Sequence, residues 1–175
     1  MSIWVTEKDV RETRSYNRTQ HVLPGLTLNV AFLHEIKSDS NQPHILIRRL
    51  QDFMSRHEPV ETRQLVDELQ WLRDALETHF ALEEFYGYFE SALMIDSQIS
   101  ARATGLKSQH ETIYLELCEL IEMAESALYR ESRIETVWPA LTVGFHSFVQ
   151  KFNEHEQAEL ELMMRLCNEE VGVGD

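Results

Sequence analysis

Apolar residues recur at three- and four-residue spacing along most of the chain, the period of a helix with one buried face. Four stretches carry this pattern. The first, from about Gly25 to His57, is the least regular. Leu26, Val30 and Leu33 mark one face early, and Leu46, Leu50 and Phe53 mark another later. Pro43 lies between them and cannot donate to the helix ladder, which predicts a kink or a break. The second stretch opens after Glu58-Pro59 and runs to about Ala92. Its stripe is Leu65, Leu69, Leu72, Leu76, His79, Glu83, Tyr86 and Phe89. The third spans roughly Ser97 to Tyr129, with Leu106, His110, Ile113, Leu117 and Ile121 in line. The fourth begins near Ser132, where Ser-Arg-Ile-Glu fits a capping box, or a turn later on account of Pro139. Leu141, Phe148, Phe152, His155, Glu159, Leu162 and Leu166 form its stripe.

Short polar connectors make neighbouring helices antiparallel. The predicted fold is therefore all-α, an up-down-up-down four-helix bundle. Residues 1–24 keep no lasting period and read as an N-terminal arm, with Trp4 available to pack on the bundle; 25–170 form the bundle and 171–175 a C-terminal tail.

Polar residues interrupt these stripes in an ordered way. His79 and Glu83 are four apart, about 40° around a helix and one turn above each other. His155 and Glu159 repeat the spacing, His110 interrupts the third stripe, and His34 continues the apolar run of the first. Each helix thus offers one imidazole, and two of them add a carboxylate a turn later. Burying these groups without partners is prohibitively costly, and a shared metal satisfies all of them together. Nitrogen with carboxylate oxygen suits iron, manganese or zinc. Each motif also has an ordinary reading, since a single His-x-x-x-Glu is a common hydrogen-bonded pair on a helix. It is the coincidence on four helices that points to a metal.

The other histidines separate from this set. His146 is nine residues before His155 and points about half a turn away, toward solvent. His57 sits in a turn and His21 in the arm. His44 competes with His34: it follows Pro43 and would open a shorter first helix, whereas Phe32-Leu33-His34-Glu35 prolongs the run from Leu26, which favours His34.

Composition narrows the function classes. Lys and Arg total 16 against 30 Asp and Glu, a formal charge of −14, which excludes a broad nucleic-acid surface or an anionic membrane surface as partner. Most of that charge reads as a solvated outer face. Eight histidines in so acidic a chain fit a metal site. Cys118 and Cys167 form no disulfide framework or CxxC pair; they read as packing residues in an intracellular, cytoplasmic protein. No apolar run approaches the roughly 18 residues of a membrane span, and the first residues lack a signal peptide's apolar stretch.

The ordered set Leu33-His34-Glu35, His79-Phe-Ala-Leu-Glu83-Glu84, Gln109-His110-Glu111 and His155-Glu-Gln-Ala-Glu159 resembles the hemerythrin-like family, also called the HHE cation-binding domain. The likeness covers roughly residues 25 to 168. It implies a non-haem di-iron centre inside the bundle, with His34 and His79 on one iron and His110 and His155 on the other. Glu83 and Glu159 would bridge two iron ions, with an oxo, hydroxo or water ligand completing the bridge; the donor types also allow zinc or manganese, but the dinuclear pattern favours iron. Two departures stand out: oxygen carriers of the family have a second histidine where this chain has Tyr114, and they end in His-x4-Asp where it has His155-x3-Glu159. Tyr114 either ligates, hydrogen-bonds a bound oxygen species, or packs. Glu84, Glu111 and Glu156 neighbour ligand positions and either hydrogen-bond them or are solvated.

What the resemblance implies is an oxygen, redox or iron-availability responder with dioxygen or peroxide as small-molecule ligand. It extends to weak peroxidase or catalase-like activity. Without an effector domain in these 175 residues, signalling would need a protein partner. A ferritin-like di-iron oxidase is disfavoured because no Glu-x-x-His stands at the sites. A metal-free helical interaction protein would need the six stripe residues to satisfy one another.

Overall fold

The computed structural model describes residues 41–55, 61–85, 97–129 and 133–171. Within these residues lie four helices and no strand: α1 (Gln42–Met54), α2 (Thr62–Phe85), α3 (Ser97–Tyr129) and α4 (Ile134–Val171). The arm with Trp4 and His21, the stretch holding Leu26, Val30, Leu33 and His34, the turn at His57, and Tyr86 and Phe89 lie outside the described residues. So does Ser132 of the capping box, and so do the side chains beyond Leu166, among them Cys167.

The helices pack in sequence order, α1 on α2, α2 on α3 and α3 on α4. Cross-links show that neighbours run antiparallel. Between α2 and α3, Gln70 Nε2 donates to Glu125 Oε1 at 2.8 Å near one end, and His110 Nδ1 donates to Glu84 Oε1 at 3.1 Å near the other. Between α3 and α4, Arg102 reaches Glu161 at 2.6 Å and Lys151 meets Glu116. Thr142 on α4 contacts Met54 Sδ on α1 at 3.7 Å, which brings the last helix against the first. The result is a four-helix bundle, and no described helix is long and apolar enough to cross a membrane.

Both prolines have a clear place. Pro43 stands in the first turn of α1, where helix donors have no intrahelical partner and its missing N–H is harmless. It therefore starts a described helix; whatever precedes Asn41 lies outside the described residues. Pro139 falls inside α4, so the helix does not wait for it. One ladder bond is lost near the start, while Trp138 beside it packs on the core and Leu141 is fully buried, which offsets that loss.

The apolar stripes meet in two separate clusters. The larger gathers Leu50, Leu65, Leu69, Leu72, Leu76, Leu117, Leu141, Phe145, Phe148 and Phe152 from all four helices. Gly144 permits the close approach of α4 to α3, since a Cβ there would lie 2.7 Å from Leu120 Cδ2. The smaller cluster joins Ile99, Ala103 and Leu106 of α3 to Leu162, Met163 and Leu166 of α4. Leu106 and Ile113 belong to different clusters with His110 between them; Phe152 and Leu162 do likewise with His155 and Glu159 between them. A buried polar layer thus divides the core.

Candidate metal centre

Heptad-like steps carry five of the predicted ligands into that layer. His79, Glu83, His110, His155 and Glu159 are all buried, none more than 5% exposed. They converge from α2, α3 and α4 as two overlapping donor sets. Glu83, His110, His155 and Glu159 each bring a ligand atom within 4.8 Å of the others; His79, Glu83 and Glu156 do the same. Glu83 belongs to both. Its Oε1 lies 3.2 Å from His79 Nε2 and its Oε2 3.6 Å from His110 Nε2, so its two oxygens face opposite sets. Glu159 Oε1 faces His110 Nε2 at 3.5 Å and His155 Nε2 at 3.3 Å.

The imidazoles of the first set are held from behind. His110 Nδ1 donates to Glu84 at 3.1 Å, and His155 Nδ1 donates to the Gln109 side-chain carbonyl at 3.0 Å. With the proton on Nδ1, each ring can turn the lone pair of Nε2 inward, as metal-binding histidines do. His155 Nε2 is buried and makes no hydrogen bond among the described residues. A lone pair facing a carboxylate oxygen across 3.3 Å is two electron-rich atoms in a dry site, and a cation between them relieves the repulsion. The donor chemistry and this buried nitrogen both fit a metal ion.

Charge is arranged to match. Burial works against a proton on His79, yet hydrogen bonds to Glu156 and Glu83 outweigh it and push its pKa up to about 10. His110 is raised as well, because Glu159, Glu84 and Glu83 overcome the same desolvation. Glu84 is lowered: hydrogen bonds from His110 and Lys107 overcome its own desolvation. In the metal-free chain a proton therefore stands in part for the cation.

Aromatic rings wall the layer. Phe80 stacks on His110 with centroids 4.1 Å apart and meets His155 edge-on at 5.7 Å. Phe152 lies 6.0 Å from His79 and 5.3 Å from His44. These rings exclude water from one side and limit how the imidazoles tilt. A cavity of about 290 Å³ between α3 and α4, lined by Gln109, Thr112, Lys151 and Ala158, reaches His155 from outside.

The remaining expectations divide. His34 is outside the described residues. His44, in the first turn of α1, lies 3.8 Å from Glu156 Oε2. Glu84 and Glu156 bond to imidazoles, whereas Glu111 and His146 are exposed. Tyr114 is half-buried with Cys118, Glu77 and Arg73 as its electrostatic neighbours, on the seam of α2 and α3. Periodicity alone misses the parts played by Gln109 and Phe80 and leaves open whether Glu156 bonds an imidazole or is solvated. Each sits beside a stripe residue, about 100° around its helix, where only the neighbouring helix decides what it meets. No family model, curated protein or solved structure matches this chain.

Proposed function

We propose that the chain is a hemerythrin-like, non-haem di-iron protein that responds to or handles dioxygen, peroxide or iron availability. The observation that carries this reading is Glu83, one buried carboxylate with an oxygen toward each of two donor sets. Three carboxylates (Glu83, Glu156 and Glu159) with three imidazoles give mixed oxygen and nitrogen donors, which suit iron. Irons held by these residues would supply electrons to dioxygen or peroxide and would recover them from an external reductant. The chain's part is to hold the imidazoles through Gln109 and Glu84 and to keep the layer dry with Phe80 and Phe152.

Aerobic purification followed by metal analysis and an optical spectrum tests this. The expected result is about two irons per chain with near-ultraviolet ligand-to-iron charge-transfer absorption. Iron-free protein that takes up no iron after anaerobic reconstitution would refute it. Dithionite followed by oxygen then separates a reversible carrier, which recovers its oxygenated spectrum, from a sensor that simply reoxidises. A metal-free interaction module is the second reading, favoured by the mutual pairing of His79 with Glu156 and Glu83. The buried His155 Nε2 weighs against it.

A further inference from the structure

We infer that Glu156 is a ligand of the second metal position, and that its partly exposed carboxylate makes a divalent cation there the more exchangeable of the two. This rests on the dinuclear reading above. The first position, among Glu83, His110, His155 and Glu159, is wholly buried and has equal numbers of imidazoles and carboxylates. Both of its imidazoles are anchored at Nδ1, so its donors are fixed before any ion arrives.

The second position is built differently. Among the described residues its donors are His79, Glu83 and Glu156; His34, which the resemblance sets beside His79, lies outside them. Glu156 Oε1 lies 2.8 Å from His79 Nε2, and Glu156 Oε2 lies 3.8 Å from His44 Nε2 at the start of α1. That carboxylate is thus held between three helices and aimed at the nitrogen an ion would use. Its side chain is 18% exposed and that of His44 33%, against 0–5% for the four residues of the first position. Water therefore reaches the second position at its Glu156 edge, and an ion there keeps exchangeable coordination.

Affinity should follow these donors. An anchored, dry set binds first and tightly. A set with a carboxylate at a wet edge fills later and suits manganese or ferrous iron. Loading is then sequential, with the second ion sensitive to metal supply while the first is permanent. This gives an iron-responsive protein a graded element without any further domain.

Titration of the metal-free full chain with manganese(II), followed by calorimetry and by the electron paramagnetic resonance of bound ion, tests this. Wild type should show two steps, the weaker one adding spin coupling between neighbouring ions. Glu156→Gln keeps the shape and an acceptor for His79, and should weaken the second step about 10- to 100-fold while leaving the first within about threefold. Glu159→Gln should instead weaken the first step. Two unchanged steps in Glu156→Gln overturn the inference and leave the dinuclear centre standing. Equal loss of both steps, with helix content retained by circular dichroism, overturns it as well. A wild-type chain that binds one ion or none removes the dinuclear reading and this inference with it.

Discussion

Gln109 holds the His155 ring: its side-chain carbonyl accepts the Nδ1 proton at 3.0 Å, one helix across from the histidine it orients. The bond fixes the tautomer and directs Nε2 to the buried layer, where it faces Glu159. Gln109→Leu keeps the volume and removes the acceptor. Metal affinity should fall about 10- to 100-fold with helix content preserved. Competition against a chelator of known affinity measures it, and unchanged affinity would show that packing alone orients the ring.

His79 makes the metal-free chain pH-dependent. Its pKa is raised from 6.5 to about 10. The stabilisation is therefore fully present below 6.5 and is lost as pH rises through about 10. Chemical denaturation of metal-free wild type and His79→Gln across that range should show their stability difference shrinking as pH rises. Metal binding displaces the same proton, so uptake near neutral pH should release protons into weakly buffered solution. A stability difference that grows with pH would reverse the sign argued here.

Removing the polar layer should trade function for stability. His155→Leu combined with Glu159→Leu replaces a buried polar pair by apolar groups that continue both core clusters. Metal uptake at the position among Glu83, His110, His155 and Glu159 should be abolished, while the metal-free protein gains on the order of 1–4 kcal/mol. Thermal denaturation in the presence of chelator reads this directly. A double variant less stable than metal-free wild type would mean that the layer's hydrogen bonds outweigh its desolvation.

Phe148 is fully buried between Phe145 and Phe152, with ring centroids 6.1 and 6.3 Å away. Phe148→Ala should cost about 3–5 kcal/mol, because three stacked rings cannot close over the gap. Met164→Ala, at a position 56% exposed, should stay within about 0.5 kcal/mol. Urea midpoints at constant slope compare the two.

His146→Ala should leave metal content unchanged, since the side chain is exposed on the far side of α4 from the layer. A substantial loss of metal would contradict the helix register seen here.

Much of this architecture was legible in the chain itself. The span of α3 agrees with its predicted limits, and the described stripe residues of all four helices, Leu46, Leu50 and Phe53 of α1 among them, are buried. The reason is that burial on a helix repeats with the helix, so a stripe of Leu and Phe states both the element and its inner face. His79, Glu83, His110, His155 and Glu159 were visible for the same reason, as polar residues in positions that burial claims. Pro139 misleads because a local rule about one hydrogen bond says nothing about the apolar contacts that Trp138 and Leu141 gain. Glu156 and Gln109 were not separable from the many solvated polar residues beside the stripes.

The sequence by itself determined that helices form, which faces they bury, and that imidazoles and carboxylates interrupt those faces. Hydrophobic periodicity carries that information within one helix. The tertiary structure alone decided that Glu83 has an oxygen toward each donor set, that Gln109 serves a histidine 46 residues away, and that Glu156 turns inward to His79. Those relations depend on the axial offset and rotation between neighbouring helices, which the packing of Leu, Phe and Gly144 across their interfaces sets and no single stripe contains.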